Sequence, residues 1–152
     1  MADLFISSST GEVALASVAH TLFLVATPAN QRVKVKGLEV FGRGMSNTDT
    51  PAKIELMTCT SQSGGTTGTV VTAKVDGDMG ETIQSLITGN YSAEPTLNGL
   101  VVQRVYEVHP QTGLVIYFPM HDEIKVKGGQ FFILRATQAQ GDTFSVQLLI
   151  EE

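Results

Sequence analysis

Residues 113–152 read GLVIYFPMHDEIKVKGGQFFILRATQAQGDTFSVQLLIEE, and this stretch decides the fold class. Short apolar runs alternate with turn residues. In the last run Phe144, Val146, Leu148 and Ile150 share one parity and Ser145, Gln147 and Glu151 the other, the period-two pattern of a strand with one face buried. Leu149 breaks that alternation, and Phe131 and Phe132, being adjacent, must face opposite sides of their strand. Both departures predict closing strands buried on two faces, against a second sheet on one side and a loop or a neighbouring subunit on the other. No catalytic cluster is mounted on them, which points to a rigid module rather than an enzyme.

Similar runs occur upstream at 4–7, 12–16, 21–27, 31–41, 52–60, 69–75 and 101–109, and within the quoted stretch at 113–118, 123–126, 130–136 and 143–151. Short strands parted by breakers such as Thr27-Pro28-Ala29-Asn30, Gly64-Gly65, His109-Pro110, Gly128-Gly129 and Gly141-Asp142 predict an all-β sandwich or barrel. No linker divides the chain, so one domain is expected over 1–152, with residues 1–8 as a possible N-terminal arm. In Val33-Lys34-Val35-Lys36-Gly37-Leu38-Glu39-Val40 the apolar parity is odd before Gly37 and even after it, which places a β-bulge there. The tetrapeptide Lys-Val-Lys-Gly at 34–37 returns at 125–128, weak grounds for a duplicated half.

A single helical signal lies between the strands. Asp78-Met79-Gly80-Glu81 has the form of a capping box, followed by Ile83, Leu86 and Ile87 at helical spacing and Gly89 as a stop, so one short helix is expected in a long loop. Beyond it, residues 91–99 have no period and are expected to run as an irregular surface loop of the kind that carries function.

The composition excludes several classes. Low charge (16%) with 42% hydrophobic residues argues against disorder and leaves apolar surface for partners. Net charge −5 without a basic run provides no footprint for nucleic acid. The single cysteine, Cys59, cannot form an intramolecular disulfide and suits a reducing compartment. The start Met1-Ala2-Asp3 lacks the basic region of a secretory signal and no apolar run is long enough for a membrane span, so a soluble protein is expected. Asn90-Tyr91-Ser92 is then a chance match to the glycosylation sequon.

The residues of chemistry are scattered. His20, His109 and His121 form no HxH or HxxxH pair, so a cupin-like metal site has no ligand set. Asp76-Gly77-Asp78-Met79-Gly80-Glu81 imitates a calcium loop but has Gly80 at its fifth position and Ile87 where a bidentate glutamate is required. There is no GxSxG elbow, phosphate-cradling GxxxxGK[ST] or GxGxxG fingerprint. Tyr91, Tyr106 and Tyr117 without tryptophan make a poor stacking platform for sugars or bases. No cofactor, metal or catalytic residue is assigned.

Three segments carry a family likeness: Pro28-Ala29-Asn30-Gln31-Arg32-Val33-Lys34-Val35, the Ser92-Ala93-Glu94-Pro95-Thr96 loop, and the closing pattern from Gly128-Gly129-Gln130-Phe131-Phe132 to Leu149-Ile150-Glu151-Glu152. In order and spacing the chain resembles the small capsid decoration (cement) proteins of tailed bacteriophages and prophages. That resemblance implies a jelly-roll-like antiparallel sandwich, made in the bacterial cytoplasm and carried on the outer surface of the virion. It further implies a homotrimer that binds the major capsid protein of the expanded head and stabilises the shell, with no nucleic-acid or membrane partner. From this chain's own residues, Leu4, Phe5 and Ile6 are the candidate capsid contact, as an apolar anchor or an added strand, and Tyr91 and Pro95 the candidate protomer contact. The competing assignments are the first strand of the protomer's own sandwich and a cover over one end of it. A tail- or fibre-associated sandwich binding a host receptor or glycan is the alternative function.

Overall fold

The structure is a computed structural model and describes residues 4–43, 50–75 and 81–152. One antiparallel sheet, sheet I, contains β1 (Phe5–Ala14), β3 (Val33–Gly42), β6 (Val71–Lys74), β10 (Leu114–Tyr117), β11 (Ile124–Val126) and β13 (Thr143–Glu151). The other, sheet II, contains β2 (His20–Ala26), β4 (Ala52–Cys59), β7 (Leu86–Gly89), β9 (Val101–Val108) and β12 (Phe131–Thr137). A two-stranded ribbon pairs β5 (Ser61–Ser63) with β8 (Thr96–Asn98).

The order is β10-β3-β13-β1-β6 in sheet I, with β11 also on β3, and β7-β2-β12-β4-β9 in sheet II. The chain is one long hairpin wound on itself. β1 pairs with β13, β2 with β12, β3 with β11 and β10, and β4 with β9, while successive limbs alternate between the two sheets. That winding is the jelly-roll arrangement of a sandwich. It explains why the closing strands are central: β13 lies between β1 and β3, and β12 between β2 and β4.

The core between the sheets takes the inward parity of each strand. Val33, Val35, Leu38 and Val40 of β3 are all buried in it, together with Phe132 and Leu134 of β12 and Phe144, Val146, Leu148 and Ile150 of β13. The bulge on β3 makes this possible. Leu149 pairs with Gly37 but Ile150 pairs with Val35, so Lys36 is the extra residue and the inward parity switches beside Gly37, as the sequence pattern requires. At Gly37 a Cβ would stand 2.7 Å from Cδ1 of Tyr117, so a side chain there would displace the ring.

One expectation is corrected. The short helix is replaced by β7, where Phe23 to Ala26 pair in register with Gly89 to Leu86; no helix occurs among the described residues. Ile87 and Thr88 are β-branched, β2 offers an unpaired edge, and Gly89 is needed because a Cβ there would sit 2.0 Å from the Leu22 carbonyl oxygen. The proposed cap at Asp78 and the carboxylates at Asp76 and Asp78 lie outside the described residues. The recurring Lys-Val-Lys-Gly segments are sheet neighbours: Val33 opposes Val126, Lys34 opposes Lys125 and Val35 opposes Ile124.

Candidate interaction surface

The two sheets treat their outer faces differently. On sheet II, β12 turns Phe131 and Ile133 outward, beside Cys59 and Met57 of β4, with Leu24 of β2 next to Ile133. Left open, this would be a broad apolar face. Residues 91–98 fold back over it: Tyr91, 4% exposed, packs with Leu24, Met57, Cys59 and Ile133 in a second core, and Leu97 and Phe131 border it. The Tyr91 and Thr88 hydroxyls are hydrogen-bonded at 3.0 Å. Burial raises the pKa of the Cys59 thiol, which serves here as a small apolar filler.

Polar bonds fasten this strap at both ends. β8 pairs with β5, and the Thr66 and Ser92 amides exchange hydrogen bonds with the Ala93 and Thr66 carbonyls. Glu94 acts as the clasp: it accepts the Thr21 amide at 2.7 Å and the Thr21 hydroxyl, with His20 Nδ1 3.7 Å and Arg135 Nε 4.0 Å away. Pro95 is buried with Tyr91. The two residues expected at a protomer contact are therefore both buried within the protomer, Tyr91 against its own second face.

Sheet I has no such cover among the described residues. Outward parity there brings together Val71 and Val75 at the β6 edge, Leu149 of β13, Phe41 of β3, and Val115 and Tyr117 of β10. All of these except half-buried Leu149 are exposed, Tyr117 at 60%. Val75, Tyr117 and Leu149 line a hollow of about 260 Å³ together with Ser7, Gly37, Leu38, Glu39 and Gln147. Tyr117 lies over the Gly37 bulge and donates its hydroxyl to Glu39, which raises its pKa.

One end of this face is charged. Lys34 is bonded to Glu151 and Lys36 to Glu123, and Lys36 also reaches the second Glu151 oxygen at 3.2 Å. The glutamate side chains are only 5% and 6% exposed. The Glu123 bond holds the Lys36 ammonium above its ordinary pKa, and Lys36 holds Glu123 below the ordinary carboxylate value. The four groups neutralise the repulsion otherwise expected between Lys34 and Lys125, which stand directly opposite.

The N-terminal candidates separate by parity. Leu4 and Ile6 are buried in the protomer's own core, whereas Phe5 is half-buried and points to the outer face of sheet I. Residues 5–14 form β1 between β13 and β6 rather than a detached arm, and residues 1–3 lie outside the described residues. Among the described residues no group of three or more His, Cys, Asp or Glu is placed to hold a metal ion, and no helix is long and apolar enough to cross a membrane. Sequence reasoning missed Phe41, Val71, Val75 and Val115 as surface residues, although strands apolar at both parities, such as Leu114-Val115-Ile116-Tyr117, carried the signal. Compared with known proteins, the chain matches no protein family, no curated protein and no solved structure.

Proposed function

We propose that this chain is a structural protein of a phage or prophage head, a decoration (cement) protein that binds the major capsid protein on the outside of the expanded shell as a homotrimer. One observation supports this reading: residues 91–98 cover the apolar outer face of sheet II, whereas among the described residues nothing covers that of sheet I, where Phe41, Val71, Val75, Val115 and Tyr117 are exposed. A broad, rigid, partly apolar face suits a protein surface. Phe5 joins that face and is the member of the N-terminal candidate set available to it.

The mechanism is mass action. A ligand that binds the expanded shell and not its ruptured or unexpanded forms lowers the free energy of the expanded state, and three linked protomers multiply individually weak contacts. No activated nucleophile, cofactor, nucleic acid or membrane enters such a mechanism, and the protein moves from the host cytoplasm onto the virion.

The test mixes the purified protein with expanded heads and with unexpanded shells of its parent phage. Binding to expanded heads that raises their rupture temperature supports the reading, and Val75→Asp should weaken it. Failure to bind either particle overturns it. Binding to a host glycan in place of heads would establish the receptor-binding alternative.

A further inference from the structure

One carboxylate on the outer face of sheet I has no counter-ion among the described residues. Glu12 is held by Arg43 at 2.8 Å, Glu123 by Lys36, and Glu151 by Lys34 and Lys36. Glu39 has only the uncharged Tyr117 hydroxyl as its side-chain partner. Strand register fixes its surroundings. On the outer face Glu39 stands opposite Gln147 and Val115, and in the next row Gly37 stands opposite Leu149 and Tyr117, with Ser7 beyond Leu149. Gly37 has no side chain, so nothing from β3 stands between Leu149 and the Tyr117 ring, and both border the hollow of about 260 Å³. Val75, Leu149 and Tyr117 give it apolar walls, while Glu39, Gln147 and Ser7 give it polar groups; the last two make no side-chain bond among the described residues. Clefts for drug-sized ligands run to roughly 300–1,000 Å³, so this one is of a size for a single long side chain.

We infer that this hollow receives a lysine or arginine side chain of the protein that docks on sheet I. The methylenes of that side chain lie against Val75 and Leu149, its cation meets Glu39 and the Tyr117 ring, and Gln147 and Ser7 accept its remaining N–H groups. Charge complementarity selects this occupant. Docking removes water from Glu39, so a purely apolar partner would leave a carboxylate desolvated and unpaired, and an acidic one would oppose it. The lysines at the other end of the face are already neutralised by Glu123 and Glu151 and cannot serve in its place.

The assignment rests on the reading of sheet I as a docking face, and its test separates the two. Butylammonium, a lysine side chain without its backbone, and butanol, its neutral counterpart, are titrated while NMR follows the Val75 and Leu149 methyl groups. Butylammonium should shift these resonances at about fivefold lower concentration, the scale of one half-exposed ion pair. Glu39→Gln keeps an acceptor for Tyr117 and should remove that advantage; Glu12→Gln, which changes the net charge equally, should not. On expanded heads, where docking excludes water from the pair, Glu39→Gln should weaken binding at least about thirtyfold. Equal potency of the two probes, or an advantage that survives Glu39→Gln, overturns the assignment. Equal binding of the parent and Glu39→Gln to heads also overturns it and leaves the capsid reading standing. Heads that bind neither protein overturn the capsid reading instead, and the two small probes then decide the hollow by themselves.

Discussion

Two tyrosines show how differently the outer faces of this sandwich are used. Tyr91 belongs to the strap over sheet II and is 4% exposed; Tyr117 lies on sheet I, 60% exposed above a glycine bulge. Both sheets present outward apolar side chains, so strand composition alone does not separate them. The difference comes from connectivity. The segment joining β4 to β9 adds β6 to the edge of sheet I and β7 to the edge of sheet II, and its last part, residues 91–98, lies over sheet II before the chain re-enters that sheet at β9. An apolar face that a protein does not cover itself is left for something else to cover.

The largest expected effect tests that contrast directly. Tyr91→Ala removes a buried ring and its bond to Thr88, and should cost about 3–4 kcal/mol, lowering the melting temperature by roughly 10 °C. Tyr117→Ala should stay within about 0.5 kcal/mol of the parent. Equal losses in thermal or urea unfolding would break the comparison. Glu94→Ala comes next, at about 1–2 kcal/mol, because it leaves the Thr21 amide and hydroxyl without their acceptor. Hydrogen exchange should then speed at the Thr66 and Ser92 amides while the β13 amides keep their protection; uniform acceleration would mean that the strap is not a separable unit.

The parts legible in the sequence were those set by local period. The parity switch in β3 announced the bulge beside Gly37, and the alternation of Phe144, Val146, Leu148 and Ile150 announced a strand with one face in the core. The helix was misread because Ile83, Leu86 and Ile87 fit a helical stripe as well as a short edge strand, and the β2 edge that decides between them is about sixty residues away. The expectation of two covered faces divided between the closing strands. β12 is covered by the chain's own strap, whereas among the described residues nothing covers the outer side of β13, where Leu149 lines the hollow. Burial of Tyr91 was not legible, since the face it covers is assembled from Leu24, Met57 and Ile133 on three strands.

A smaller effect belongs to the charged end of the open face. Glu123 is held below its ordinary pKa, so it contributes stability that is present above the unfolded carboxylate value and lost as pH falls through the folded one. Lys36 is held above 10.5, so its contribution is complete below that value and lost as pH rises through the folded pKa. Glu123→Gln should flatten the acid limb of a stability-against-pH curve measured by urea unfolding, and reduce the protection of Lys36 at alkaline pH. Parallel acid limbs for the parent and the variant would show that these ion pairs contribute nothing to folding, and would place this end of sheet I with ordinary solvated surface.

The smallest expected change is the one that most sharpens the comparison. Val71→Thr with Val75→Thr keeps branched side chains of almost the same shape in and just after β6 and alters only the polarity of the open face. If that face is free in the isolated protein, the melting temperature should move by no more than about 2 °C, while binding of an apolar dye falls. If the face is already covered in solution, those valines are being kept from water, and each hydroxyl brought into contact with an apolar partner imposes a desolvation cost. The same double substitution would then lower the melting temperature by several degrees and make it depend on protein concentration. A concentration-dependent loss would make sheet I a covered face like sheet II, with the cover supplied by another chain rather than by the strap.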